Sequence, residues 1–322
     1  MAGGKKSGTE EKGTRRSVYA AFTANLLIAV SKFVAGIITG SAALLAESAH
    51  SVADTINQVF LLVSLRTASE APDEKHPFGY GQDRFFWSLL VAIGLFVAGA
   101  VFSIYEGVSK IIHGSGSHDA FFVAYIVLGL AFVFESSALV VSSREFRRTA
   151  HQANVSFWEH FKNTRNTTMK VPLYEDVAAI LGIAVAAAGL FLTQITGDHA
   201  YDGLASIGIG VILVFVAWEL GTDSRRLLIG EAMPPEARKK IEEIMLSFPE
   251  VTEVLRLLTM HLGPNSALLT AEIHVVDGLD TDQIEDLLER ITRKICFEVP
   301  EVTQTFIELH PEGKSGDPTQ SD

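Results

Sequence analysis

Cysteine is nearly absent: Cys296 is the only one in 322 residues, so no disulfide framework holds the chain together. Charge is sparse at 20% of residues, where soluble domains carry about 25%. Positive charge is the scarcer kind, with 26 Lys+Arg against 38 Asp+Glu and a net charge of −12. That balance speaks against a nucleic-acid binder, whose contact surface is basic. The sequence also lacks a G-x-x-x-x-G-K-[ST] loop and an H-E-x-x-H helix, so neither a nucleotide-driven engine nor an intramembrane metalloprotease is indicated. What it has in abundance is apolar residues, 48% of the total, and a chain with that much surface to bury is not disordered.

The charge is unevenly placed. Residues 227–322 hold 8 Lys+Arg and 19 Asp+Glu, whereas residues 1–226 hold 18 and 19. The first two thirds are apolar and nearly neutral, the last third acidic, which reads as a membrane part followed by a water-soluble part. Six apolar segments of about the 20 residues needed to cross hydrocarbon lie at roughly 17–39, 42–65, 85–112, 120–142, 171–194 and 203–221. The first follows a polar, basic tail without a small-residue cleavage site, so it reads as a span and not as a signal peptide. Basic residues gather in that tail and in the loops after the second, fourth and sixth spans, while the opposite loops hold at most Lys110. Basic loops stay cytoplasmic, which places both ends of the sequence and the acidic part in the cytoplasm.

The acidic part reads α-β-β-α-β. Pro234 and Pro235 open a helix to about Phe248. Val251–His261 and Ala267–Val276 are strands, with Gly263, Pro264 and Asn265 as the turn between them. Asp280 and Asp282 introduce a helix over about 281–296, and Val302–Leu309 is the last strand. Two helices on one face of a small sheet make an α+β layer. Cys296 reads as a small buried apolar residue. The loop 143–170, with Phe157, Trp158 and Phe161 among basic residues, reads either as an interfacial amphipathic helix or as a disordered linker.

Several spans carry ionisable groups, each costing roughly 2.5–3.5 kcal/mol at mid-bilayer on insertion scales. The second span, in AESAHSVADTI, holds Glu47, His50 and Asp54 at i, i+3, i+7, on one helix face, with Asn57 and Gln58 extending the stripe. The fifth, in PLYEDVAAILG, holds Glu175 and Asp176. Imidazole and carboxylate four residues apart form half a metal site, which a second helix can complete. The alternative is a polar seam of hydrogen bonds between helices, about 1 kcal/mol per contact. Lys32, Glu106, Glu135 and Glu219 read as helix-end anchors or internal charge partners.

These motifs resemble the cation diffusion facilitators, over about residues 16–312. The resemblance rests on GSAALLAESAHSVADTINQ, HPFGYGQDRFFW, YEGVSKI, YEDVAAILG and YDGLASIGIG, in that order. It implies a tail (1–15), an all-α six-helix transmembrane transport domain (16–222), an α+β ferredoxin-like cytoplasmic domain (223–312) and a further tail (313–322). It implies a metal site from His50 and Asp54 on the second span and Asp176 on the fifth. The remaining ligand position of that family falls on Pro172, so three side chains and water, or Glu175 or another residue, complete the shell. Histidine on the second span resembles the zinc-transporting branch; cobalt, iron, nickel and manganese stay open. In the loop APDEKHPFGYGQ, Asp73 and His76 match a second metal site of the family, with Tyr80 where some members carry histidine; the other reading is a capping turn. In the cytoplasmic domain His274 and His310 with Glu312 match a regulatory metal site, and His261 is a further candidate.

The function implied is secondary active efflux of a divalent cation from the cytoplasm against inward proton flow, with no enzymatic step. The implied partners are the cation, protons, the lipid bilayer and a second copy of the chain joined through the cytoplasmic domain; no nucleic acid is among them. A bacterial inner (plasma) membrane is the expected location. The competing reading is a non-transporting metal-sensing or scaffolding subunit of the same fold, which the proline at position 172 favours.

Overall fold

The computed structural model describes residues 7–68, 70–114, 121–152, 155–158, 161 and 167–311. They fall into two compact units, one within Met1–Leu65 and Phe86–Ser224, the other within Arg66–Phe85 and Arg225–Asp322.

The first unit is helical. Its elements are α1 (Ser7–Thr39), α2 (Ala42–Thr67), α3 (Asp83–Gly94), a π-helical segment (Leu95–Val101), α4 (Phe102–His113), α5 (Phe121–Gln152), α6 (Thr167–Thr196) and α7 (Ala200–Leu228). Four helical runs, Asp83–His113, Phe121–Gln152, Lys170–Thr196 and Ala200–Leu228, are long and apolar enough to cross a membrane. The apolar part of α1 is the shorter stretch Asn25–Thr39, and in α2 the polar stripe interrupts the apolar run. The unit is inverted relative to a water-soluble protein. Phe122 is 77% and Trp218 71% exposed, while Lys32, Glu47 and His50 are fully buried. Large apolar side chains outside and charged ones inside fit hydrocarbon as the surrounding solvent.

Three helices outrun the apolar segments read from the sequence. α5 continues from 142 to Gln152, α6 starts at Thr167 and contains Pro172, and α7 runs to Leu228. Hydropathy reports where lipid ends, whereas backbone hydrogen bonding continues into water, so helices outlast their spans. The third span is also not one uninterrupted α-helix, since the π segment divides α3 from α4. Small residues let the helices close up: a Cβ on Gly107 of α4 would come within 2.5 Å of the Gly203 carbonyl of α7.

The second unit holds α8 (Pro235–Leu246), β1 (Val251–Gly263), β2 (Ser266–Val275), α9 (Thr281–Glu298) and β3 (Val302–Leu309). The sheet order is β1-β2-β3, with β1 and β2 antiparallel and β2 and β3 parallel. A parallel pair requires a crossover, and α9 supplies it. Asp280 and Gln283 form a reciprocal capping box at the start of α9. Alternate β2 residues Ala267, Leu269, Ala271 and Ile273 are buried with Ile241, Ile244 and Met245 of α8 and Leu287, Ile291 and Ile295 of α9. The α-β-β-α-β order matches the expectation, with boundaries moved by two residues or fewer. Within the same unit, Gly81 of the loop after α2 packs against Leu262 and Gly263.

Cys296 is exposed, not buried. The buried stripe of α9 runs through Leu287, Ile291 and Ile295, and the next residue is rotated by about 100°; Phe297 is accordingly 85% exposed. In the loop 143–170, Phe157 packs 5.0 Å from Phe146 and Phe161 lies 5.4 Å from Tyr174. These described residues form an aromatic cluster at the junction of α5 and α6.

Candidate functional site

The polar stripe of α2 faces inward. Glu47 and His50 are fully buried, Asp54 is 8% exposed and Asn57 3%. Two charges compensate each other directly: Lys32 Nζ of α1 lies 3.0 Å from Glu47 Oε2 and donates to Ser51 Oγ at 2.9 Å. Lys32 is thus an internal charge partner. The other Glu47 oxygen, Oε1, rests against Gly182 of α6, where any Cβ would overlap it. Glycine at 182 is what lets α6 lie on a glutamate.

One turn further along α2, His50 Nε2 stands 3.5 Å from Asp54 Oδ2. Among the described residues neither ring nitrogen of His50 has a hydrogen-bond partner, and neither does Asp54 Oδ1. Buried polar atoms are nearly always paired, so an imidazole and a carboxylate left open side by side point to a ligand. Another turn on, Asn57 Nδ2 donates to Glu175 Oε1 of α6 at 2.5 Å while Asn57 Oδ1 has no partner among the described residues. Asp176 accepts from Ser142 Oγ of α5 at 2.6 Å through Oδ2.

A cavity of about 460 Å³ adjoins these groups. Its lining includes Asp54 and Asn57 of α2, Glu135 and Ser142 of α5, and Pro172, Glu175 and Asp176 of α6. Asp54 thus shares one cavity with the two acids of α6. His50 stands behind Asp54, outside that lining. Among the described residues no three His, Cys, Asp or Glu side chains converge closely enough to hold a metal ion. The arrangement is two half-sites, His50–Asp54 on α2 and Glu175–Asp176 on α6.

The peripheral residues are placed as follows. Asp73 shapes a turn: Oδ1 accepts from the His76 and Lys75 N–H groups at 2.6 and 2.9 Å, and Oδ2 from Tyr80 Oη at 2.8 Å. The Tyr80 hydrogen bond, aided by those backbone donors, holds the Asp73 carboxyl below its ordinary range. The His76 and Tyr80 rings lie 4.2 Å apart. In the sheet, His274 Nδ1 donates to the His310 carbonyl at 2.9 Å, and His310 Nε2 stands 3.6 Å from Glu308. Glu312 lies outside the described residues. His261 does not join them: the β1–β2 register sets it opposite Ala267 and sets Glu253 opposite His274, about 20 Å along the strand at 3.3 Å per residue.

Two contributors carry only a faint sequence signal. Glu135 lines the cavity, and an acid in the middle of an apolar span was its sole mark. Asp202, in YDGLASIGIG, reaches Ser41 and the first N–H groups of α2, a contact that spacing along one helix cannot reveal.

Comparison with known proteins identifies the family. The family profile described as the cation efflux transmembrane domain matches residues 18–229, and the profile of the cation efflux protein cytoplasmic domain matches residues 233–312. The human protein named proton-coupled zinc antiporter SLC30A9, mitochondrial, is 32% identical over 308 residues, 94% of this chain and 53% of that protein. Metal tolerance protein C4 of Arabidopsis thaliana is 32% identical over 263 residues, 82% of this chain and 57% of its own length. Magnetosome protein MamB of Magnetospira sp. (strain QH-2) is 27% identical over 299 residues, 91% of this chain and 94% of its own. The chain spans about half the length of the zinc antiporters it matches. With both profiles matched in order and lipid-facing helices around a buried acid-imidazole stripe, the chain belongs to the cation diffusion facilitator family and is a multi-pass membrane protein.

Proposed function

We propose that this protein exports a divalent transition-metal cation, zinc in the first place, from the cytoplasm in exchange for protons. The observation that carries the reading is the open His50–Asp54 pair beside a cavity that Glu175 and Asp176 also line. His50 is neutral when it binds metal, and Asp54 and Asp176 are ionised, so loading the cation releases protons. Facing an acidic compartment, the same groups take up protons and the metal leaves. One site then couples two opposite fluxes as the helices rock around it.

Zinc and proton coupling draw support from the name of the human relative. The names of the plant and magnetosome relatives are less specific, and cobalt, iron, nickel and manganese remain within the range of this donor set. The reading includes six spans (α1, α2, α3 to α4, α5, α6 and α7), a ferredoxin-like cytoplasmic domain that joins two copies, both ends of the chain in the cytoplasm, and a bacterial inner (plasma) membrane. It also includes a second metal site at Asp73 and His76 and a regulatory one at His274, His310 and Glu312.

The second reading, a metal-sensing or scaffolding subunit that does not transport, is favoured by Pro172 and by the separation of the two half-sites. Reconstituted liposomes separate the two. A pH gradient should drive zinc uptake by the wild type and not by Asp54→Ala. Uptake unchanged in Asp54→Ala ends the assignment of the site. Zinc binding without any uptake in the wild type selects the subunit.

A further inference from the structure

We propose that the end of α5 is a binding site for the phosphate headgroup of an anionic phospholipid, held by Arg144 and Arg147 at the surface of the bilayer. The proposal goes beyond the transport reading and does not depend on which ion is carried.

The site follows from one face of one helix. Ile126, Leu130, Val133 and Val141 stand at helical spacing along α5 and are all exposed, Val141 to 67%. Large apolar side chains turned outward mark the lipid-facing side of a span. The same face then changes character: Arg144, Arg147, Arg148 and His151 continue it at i, i+3, i+4 and i+7, all of them exposed. The opposite face does not change, since Phe146 and Ala150 stay buried, with Phe146 5.0 Å from Phe157. From Phe122 to Val141 the helix rises about 29 Å at about 1.5 Å per residue, close to the hydrocarbon thickness of about 30 Å. Arg144 lies about 4.5 Å beyond Val141, at the depth of the headgroups. Helical side chains lean toward the N-terminus, so the guanidinium groups of Arg147 and Arg148 reach back toward that level.

Two of these arginines are uncommitted. Arg148 Nη1 lies 3.8 Å from Glu145 Oε2, and Glu145 is the only acid between Ser142 and Gln152. Arg144 and Arg147 make no hydrogen bond or ion pair with another described residue. A guanidinium presents a planar fork of donors that fits phosphate oxygens. Trp158, seated on Phe157 and Phe161, is 69% exposed, and such amphipathic rings collect at membrane interfaces. An acidic protein segment could also supply negative charge, but a face that meets lipid one turn earlier is already at the bilayer surface. Ser142, two residues before Arg144, donates to Asp176 of α6. A headgroup held at Arg144 thus tethers the helix end that carries one contact of the candidate site.

The test uses the full chain in liposomes with photoactivatable lipids whose diazirine sits in the headgroup, phosphatidylglycerol in one arm and phosphatidylcholine in the other. Cross-links on the wild type, read by mass spectrometry, should fall between Ser142 and Trp158 and should favour phosphatidylglycerol. This measurement requires no variant to fold. In Arg144→Gln combined with Arg147→Gln, the preference should fall about fivefold per arginine lost, the equivalent of about 1 kcal/mol per basic residue at a membrane surface. The corresponding pair of lysine substitutions, which keeps the charge, should retain most of it. Equal labelling by the two lipids overturns the proposal and leaves the basic face to an acidic protein. A preference that survives in the double glutamine variant places the headgroup elsewhere and also overturns it. Exchanging chloride for inorganic phosphate at matched ionic strength should leave the labelling unchanged; its loss would show a site for free phosphate and overturn the assignment to lipid.

Discussion

Asp202 of α7 caps the amino end of α2, accepting from the Ala42 N–H at 2.7 Å through Oδ2. Its Oδ1 accepts from Ser41 Oγ at 2.6 Å and from the Ala43 N–H at 3.3 Å. The first N–H groups of a helix have no partner within it, and here the cap comes from another helix 160 residues away. The helix that carries His50 and Asp54 is thereby fixed at one end to α7. Asp202→Ala should cost about 1–2 kcal/mol, the range for a lost N-cap, seen as a lower unfolding temperature in detergent. An unchanged midpoint would mean that water replaces the carboxylate.

Lys32 and Glu47 should behave as a mutually dependent pair. Removing one partner leaves a buried charge uncompensated and costs about 3–5 kcal/mol, whereas replacing both with apolar residues of similar volume costs far less. Lys32→Met should therefore destabilise more than Lys32→Met combined with Glu47→Met. A thermal-denaturation cycle over the four proteins measures the difference, and strict additivity would show that the ion pair does not couple them.

Gly182→Ala should disturb the same pair from the opposite side. The added Cβ would overlap Glu47 Oε1, so either the glutamate or α6 must shift, at about 1–3 kcal/mol for an overpacked site. If the strain arises at Glu47, a shorter side chain relieves it. Glu47→Asp should then partly restore the unfolding temperature of Gly182→Ala, and no recovery would place the clash elsewhere.

The cytoplasmic unit should lose a contact as it is acidified. Arg290 Nη2 of α9 donates to Glu250 Oε1 at 2.7 Å, and this hydrogen bond holds the Glu250 carboxyl below its ordinary value of 4.5. A carboxyl with a depressed folded-state pKa adds stability above its unfolded value, and that stability is lost as pH falls through the folded one. Amide protection in α9 should therefore drop more steeply below about pH 4.5 in the wild type than in Glu250→Gln. Hydrogen exchange followed by mass spectrometry reads the two slopes, and equal slopes would remove the contact from the account.

His274 has one nitrogen committed, with Nδ1 donating to the His310 carbonyl. Any zinc at this histidine should bind through Nε2. Nitrogen-15 NMR of imidazole-labelled protein during a zinc titration should move the Nε2 resonance most, whereas a dominant Nδ1 shift would require β2 and the end of β3 to separate.

The periodicities were legible before any coordinates. Glu47, His50 and Asp54 at i, i+3, i+7 are bound to share a helix face, and Ile284, Leu287, Leu288 and Ile291 are bound to lie along one side of a helix, because 3.6 residues per turn is a local property. The strand and turn signals of the acid-rich last third likewise announced a small sheet beside a membrane part. Where those faces point depends on the rest of the chain. Whether Glu47 meets a cation or a lysine depends on α1, whether Asp54 meets Asp176 or a cavity depends on α5 and α6, and whether His261 joins His274 depends on the register of β1 against β2. Local spacing determines which residues share a surface; only the packing of distant segments decides what that surface encounters, because those contacts join residues that no periodicity relates.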